Sequence, residues 1–304
     1  MNALSDEAKF IIESKSLRLE LEIAGLDSLF LHERTLPEAV DQLLVEFKNL
    51  VVFENPIIVD KQNIVLDGNH RTCALKKLRF NYIPVCRIDY LHESAKLKYW
   101  FRLLDNVRDL DLLRKVVQDH KGALEPMADI HTMERRLAKN SVCWGLQQGD
   151  FYAVVTFGKD LVYDAVSAYD MLERIQDQLL ETGMKVDYIP CRYVREKSFC
   201  DCLKEREVIL WTPHLTKETV IHAAMEKRLF APKSTRHLIP ARPIHMNVPL
   251  RWLKEEMPLD ELNRRFVSFL EHKEMQHLPP GQMVDGRYYE EELFVFADPT
   301  EPAA

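Results

Sequence analysis

The sequence predicts a mixed α/β (α+β) protein in which a small N-terminal domain and a second α/β domain form a cleft. Two observations predict this. Short, apolar, β-branched runs such as Ile57-Ile58-Val59 and Ile64-Val65-Leu66 recur between amphipathic stretches of helical period. The 304 residues are 46% hydrophobic and 29% charged, an ordinary globular balance that can bury a sizeable core.

Residues 10 to 31 alternate apolar runs with charges and fit either a helix or a strand pair. A helix follows from about Leu36 to Asn49: Thr35 and Glu38 match a capping box, Pro37 sits in the first turn, and Leu36, Val40, Leu43, Leu44 and Phe47 share one face. Pro56 then opens a strand, and the polar stretch Asp60 to Asn63 turns the chain into a second one. At Asp67-Gly68 the pattern changes to a helix capped by Asn69, with Cys73, Ala74 and Leu78 inward. Tyr82 to Ile88 reads as another strand, which closes an N-terminal domain over residues 1–95. Residues 96–140 are charge-rich and read as a helical connector. From 141 to 304 the chain resumes α/β character: FYAVVTF, VDYIPCRYV and EVILWTP as strands, Val162 to Glu181 as a helix stopped by Gly183, a helix capped by Thr216, and one from about Pro258.

Two stretches carry chemistry. The start of the helix after Gly68 leaves N–H groups unpaired at its positive end, where a phosphate is well placed. His70, Arg71 and Thr72 add side-chain donors there, and Asp67 is a carboxylate suited to a divalent metal such as Mg²⁺ beside those phosphates. The second stretch, residues 230 to 250, crowds Lys233, Ser234, Thr235, Arg236 and His237 between prolines. Two cations, two hydroxyls and an imidazole suit an anionic small molecule, and they equally suit a solvated basic loop. Trp100 fits either core or a wall of the cleft. Glu33, just before a helix, is by itself a dipole-favoured surface carboxylate.

The formal charge of −7 disfavours a nucleic-acid footprint, and no segment approaches the ~20 apolar residues of a membrane span. Without a signal-like start, the expectation is a soluble, cytoplasmic protein. The six cysteines read as buried thiols; Cys200-Asp201-Cys202, with His214 and His222 downstream, falls short of a zinc set. Oligomeric state is not legible.

Gly68, Arg71 and Ala74 resemble the G-x-x-R-x-x-A nucleotide-binding motif of the ParB/sulfiredoxin-like superfamily, down to the preceding "PI-x-V…V-x-DG". Sulfiredoxins carry a catalytic cysteine where this chain has Asn69, so peroxiredoxin repair is not expected. Within the superfamily the chain is similar to the free L-serine kinases. His32-Glu33 occupies the place of their catalytic glutamate, and Thr235-Arg236-His237 with Asn247-Val248-Pro249-Leu250 fits their "P-x-x-T-R…N-x-P-L" segment. The resemblance implies Mg²⁺-dependent phosphoryl transfer from ATP or ADP to free L-serine, feeding cysteine or siderophore-precursor synthesis. In that reading Gly68, Asn69, His70, Arg71 and Thr72 cradle the nucleotide, Asp67 holds the metal or aligns the nucleophile, and Glu33 is the general base. Lys233 to His237 and Trp100 bind serine or phosphoserine. The alternative is a ParB-like nucleotide-binding regulator or DNA switch, for which the chain lacks a basic face and a helix-turn-helix pattern.

Overall fold

The computed structural model describes residues 8–107, 110–190 and 207–299. The chain forms two compact units, one from residues up to Lys96 together with those from His237 onward, the other Leu97–Arg236.

The first unit is built on a five-stranded sheet. Residues 10 to 31, open to either period in the sequence, form the antiparallel strands β1 (Phe10–Glu13) and β2 (Arg18–Gly25). Helix α1 (Pro37–Asn49) and the short β3 (Val52–Phe53) lead into the expected hairpin, β4 (Ile57–Asp60) and β5 (Val65–Asp67). Helix α2 (Asn69–Lys77) follows, then β6 (Tyr82–Ile88). The sheet order is β1-β2-β6-β4-β5, and β4 against β6 is the one parallel pair in it. Burial of all four β4 residues explains why that strand reads as an unbroken apolar run. Both helix caps differ from expectation. Helix α1 begins at Pro37, a residue suited to the first helical position, with Leu36 as its cap; leucine has no side-chain acceptor, so no side-chain cap bond forms. In α2 the capping position falls to Gly68, whose φ of 111° is left-handed, and Asn69 is the first helical residue.

The second unit is a six-stranded antiparallel sheet in the order 185–190, 100–105, 208–211, 144–148, 151–157, 122–127. Helices Leu110–Asp119 and Ala165–Glu181 cover one face through Leu113, Val117, Leu172 and Ile175, and Met133 and Leu137 of Ile130–Ala138 cover part of the other. Where the sequence suggested a helical connector over 96–140, the structure has strands Trp100–Asp105 and Gly122–Met127 as sheet members, alternating with two helices. Phe101 and Leu104 lie in clusters on opposite faces of a sheet covered on both sides, so the polar alternation that marks a half-exposed strand is absent. Cys191, Cys200 and Cys202 lie outside the described residues.

After Arg236 the chain returns to the first unit. Val248–Pro249 pairs with β3, and Ala241–Ile244 runs parallel to Glu292–Ala297, which also pairs with Glu274–Leu278. Helix Leu259–Glu271 packs on β2, where the buried Asn263 accepts from the Ile23 N–H at 2.7 Å and donates to its carbonyl at 3.1 Å.

Candidate active site

Gly68 sets the geometry of the phosphate-type turn. A Cβ there would lie 2.3 Å from Cγ2 of Ile57, and the positive φ excludes most other residues independently. The turn packs Thr72 inward, fully buried, with its hydroxyl donating to the Gly68 carbonyl at 3.0 Å. Thr72 therefore braces the turn from behind. Arg71 is likewise an anchor: its Nη1 donates to the carbonyl of Asn55 at 2.6 Å, and its Nη2 lies 3.8 Å from Asp67. His70 accepts from the Leu36 N–H at 3.1 Å through Nε2, which puts the proton of the neutral ring on Nδ1.

Asp67 is engaged by Arg242, a contact the sequence reading missed because 175 residues separate the two. Arg242 in turn donates from Nε to Glu291 at 2.9 Å. Burial alone would raise the Asp67 carboxyl, but the Arg242 and Arg71 guanidinium groups outweigh it and hold the carboxyl well below the usual carboxylate range. A carboxylate already facing two guanidinium groups is a poor cation ligand. No cluster of three metal-ligating side chains occurs among the described residues, so the arrangement at Asp67 does not fit a protein-held metal.

Glu33 lies beside this turn through its neighbour. His32 is 1% exposed, its Nδ1 is 2.6 Å from the Val65 carbonyl, and its Nε2 is 3.8 Å from the Glu33 carboxylate. The amide of Asn69 comes within 3.5 Å of the same ring. Burial pushes the His32 pKa down, against the opposing pull of Glu33 and the Val65 carbonyl. The ring of His237 meets that of His32 edge-on at 5.1 Å, and His237 Nε2 is 2.9 Å from the Tyr90 hydroxyl. His32, the neighbour of Glu33, thus touches both Asn69 of the turn and His237 within the first unit.

A groove of about 560 Å³ has Arg71 in its wall, together with Leu43, Phe47, Leu50 and Phe53 and the polar Glu46, Glu54 and Asn55. Phe47 and Phe53 stack at 5.8 Å within it.

The second unit groups the rest. Trp100 is half-buried, donates its Nε1 hydrogen to the Thr235 carbonyl at 3.1 Å, and has Lys233 and Arg236 over its ring at 5.3 and 5.6 Å. Ser234 is fully buried and donates to the Ala231 carbonyl at 2.6 Å, which makes its hydroxyl a loop brace. Behind the loop stands Arg102, 2% exposed, which donates to the carbonyls of Trp100, Pro232 and Lys233 at 3.0 to 3.2 Å. Nothing in the sequence separates Arg102 from the other charges of its stretch.

No family model matches the chain. It is 27% identical over 248 residues, 78% of its length and 92% of the relative's, to an ATP-dependent L-serine kinase of Staphylothermus marinus. It is 22% identical over 251 residues, 81% and 97% of the two lengths, to an ADP-dependent L-serine kinase of Thermococcus kodakarensis. A solved free serine kinase in complex with AMP superposes with a TM-score of 0.63 at 18% identity, covering 80% of this chain and 96% of that one. In sequence over about four-fifths of its length, and in fold, the chain is similar to the free L-serine kinases.

Proposed function

We propose that the protein is a phosphotransferase that moves the terminal phosphoryl group of ATP or ADP to the hydroxyl of free L-serine, giving O-phospho-L-serine for cysteine or siderophore-precursor synthesis. What supports this is that residues on either side of Glu33 touch the Gly68 turn within one unit: His32 is in contact with Asn69, and the Leu36 N–H donates to His70. A base beside a phosphate cradle is what phosphoryl transfer to an alcohol requires.

In this reading the N–H groups at the start of α2, with Asn69 and His70, bind the donor phosphates. Glu33 accepts the serine proton. Asp67, Arg71 and Thr72 hold the cradle in shape from within. The groove beside Arg71 takes the nucleoside, since the stacked Phe47 and Phe53 in its wall suit a base and Arg71 of α2 lies in the same wall. Mg²⁺ belongs to the proposal as a companion of the nucleotide phosphates, the form in which magnesium usually reaches such sites, rather than as an ion held by Asp67. Lys233, Thr235, Arg236 and His237, with Trp100, are proposed to hold the carboxylate of serine or the phosphate of the product, a role that cations and hydroxyl groups suit. Catalysis then rests on positioning and charge neutralisation, which a loose transition state rewards.

The test is incubation of purified protein with L-serine, Mg²⁺ and either ATP or ADP, with mass detection of phosphoserine. Product with one donor or both is expected. Glu33→Gln is expected to lower kcat by roughly a hundredfold or more while leaving nucleotide affinity within about twofold. No product from the natural sequence with either donor would overturn the reading.

A further inference from the structure

We infer that Arg287, carried on a hairpin near the end of the chain, binds the donor's phosphates beside the Gly68 turn; this rests on the kinase reading and adds a residue to its nucleotide site. The hairpin joins the antiparallel strands Gln282–Val284 and Arg287–Tyr289 through Asp285 and Gly286 alone. Both turn residues have positive φ, 50° and 75°, as a tight Asp-Gly turn requires. Such a turn fixes the register. The cross-strand partners Val284 and Arg287, with Gln282 and Tyr289, therefore share one face, and Met283 and Tyr288 take the other. The second face is open, with Met283 63% and Tyr288 58% exposed. The first packs inward: Tyr289 is buried in a cluster with Ile244 and Leu293, and Val284 lies against it. Arg287 thus stands on the inner face, at the turn end of the hairpin.

Three hydrogen bonds tie that end to the Gly68 corner. Asp285 accepts from His245 Nε2 at 2.6 Å, the His245 N–H donates to Asn55 Oδ1 at 2.8 Å, and the Asn55 carbonyl accepts from Arg71 Nη1 at 2.6 Å. Arg242, the partner of Asp67, belongs to the strand that leads into His245. Arg287 is itself exposed, with its guanidinium held 4.7 Å from the centre of the buried Tyr289 ring. Its charge is felt at the corner. Burial works against an ionised Asp67, while Arg242, Arg71 and Arg287 work for it; burial also works against a charged Arg71, which Asp67 favours and Arg242 and Arg287 oppose.

The charges there do not balance. The guanidinium groups of Arg71, Arg242 and Arg287 meet the carboxylates of Asp67 and Glu291 beside the positive end of α2. Asp67 faces Arg71 and Arg242, and Glu291 faces Arg242. Among the described residues no carboxylate lies within ion-pair distance of Arg287, and none accepts a hydrogen bond from it. Repulsion from two neighbouring cations would send a loose side chain into solvent, but the register and the tyrosine ring keep this one at the corner. A planar fork with its donors open is suited to a phosphate, which it takes through two parallel bonds. A polyphosphate supplies the missing negative charge.

The experiment is calorimetric titration with ADP, without serine, of Arg287→Met, Arg287→Gln and, on the outer face, Met283→Gln beside the natural protein. Both Arg287 variants are expected to bind ADP roughly tenfold or more weakly and with a shallower dependence on salt, with an unchanged thermal midpoint, since the side chain is exposed. Met283→Gln is expected to match the natural protein. Serine KM in the phosphoserine assay should stay within about twofold in all three. ADP affinity within about twofold of natural in either Arg287 variant overturns the inference, and so does an equal loss in Met283→Gln, which would assign the effect to the hairpin's shape. The glutamine variant decides if the methionine variant does not fold. Titration needs no turnover, so an unchanged affinity sinks this inference while phosphoserine formation stands; absence of phosphoserine from the natural protein with either donor sinks the kinase reading itself.

Discussion

Gly68 and Asp67 show how two adjacent residues serve one turn by different physics. At Gly68 a side chain meets both a forbidden backbone region and the wall formed by Ile57. Gly68→Ala is therefore expected to destabilise the first unit by about 2 kcal/mol or more and to weaken nucleotide binding, read by thermal unfolding and by titration with ADP. At Asp67 the effect is electrostatic. Its carboxyl, which ordinarily titrates near 3.8, is depressed in the folded protein, so the ionised form contributes stability above that pH and the contribution is lost as pH falls through the folded value. Asp67→Asn is expected to be less stable than the natural protein at neutral pH, with the difference shrinking below pH 3.8 in urea unfolding series. The side chain is 41% exposed, so solvent screening keeps the gap modest. A gap that stays constant down to acid pH would assign the loss to shape instead of charge.

At the scale of elements, the loop that carries Lys233 and Arg236 illustrates what a sequence conceals. Lys233 and Arg236 are conspicuous beside their prolines, yet the loop's shape depends on Arg102 in a distant strand, which supplies hydrogen bonds to three carbonyls at once. A strand arginine normally reads as a solvated charge, and only the fold shows that this one is buried. Arg102→Met keeps the bulk and removes the donors. It is expected to cost the second unit about 3 kcal/mol, because the buried carbonyls lose their partners. If the loop binds serine, the variant is also expected to raise serine KM more than nucleotide KM. An unaltered unfolding midpoint would show that water or a neighbouring side chain replaces the guanidinium. The α1 start shows the same thing: Thr35 and Glu38 have the spacing of a capping box, but the helix begins one residue later, at Pro37, and the N–H of its cap Leu36 is taken by His70 from a distant helix.

At the scale of the whole molecule, the β4-turn-β5-Gly68-α2 core was legible because the signals that mark it are local: a polar turn, a left-handed glycine and a short helix. The division of the chain was not. The first unit is discontinuous, and its closing contacts join residues far apart in sequence: Asp67 to Arg242, β3 to Val248–Pro249, and Ile23 to Asn263, whose side chain satisfies both backbone groups of a β2 residue. Hydrophobic period announces a helix at Leu259–Glu271 but not which sheet it covers. These contacts predict that residues 1–96 alone are incomplete. Without the C-terminal segment, Leu19, Leu21 and Ile23 on β2 lose part of their cover, and the Ile23 groups lose their buried partner. A chain ending at Lys96 is expected to show no cooperative thermal transition and no nucleotide binding, whereas the same residues fused through a flexible linker to 237–304 should regain both, followed by circular dichroism and ADP titration. A sharp transition in the short piece would mean that the N-terminal sheet is self-sufficient and that the returning segment serves the site alone.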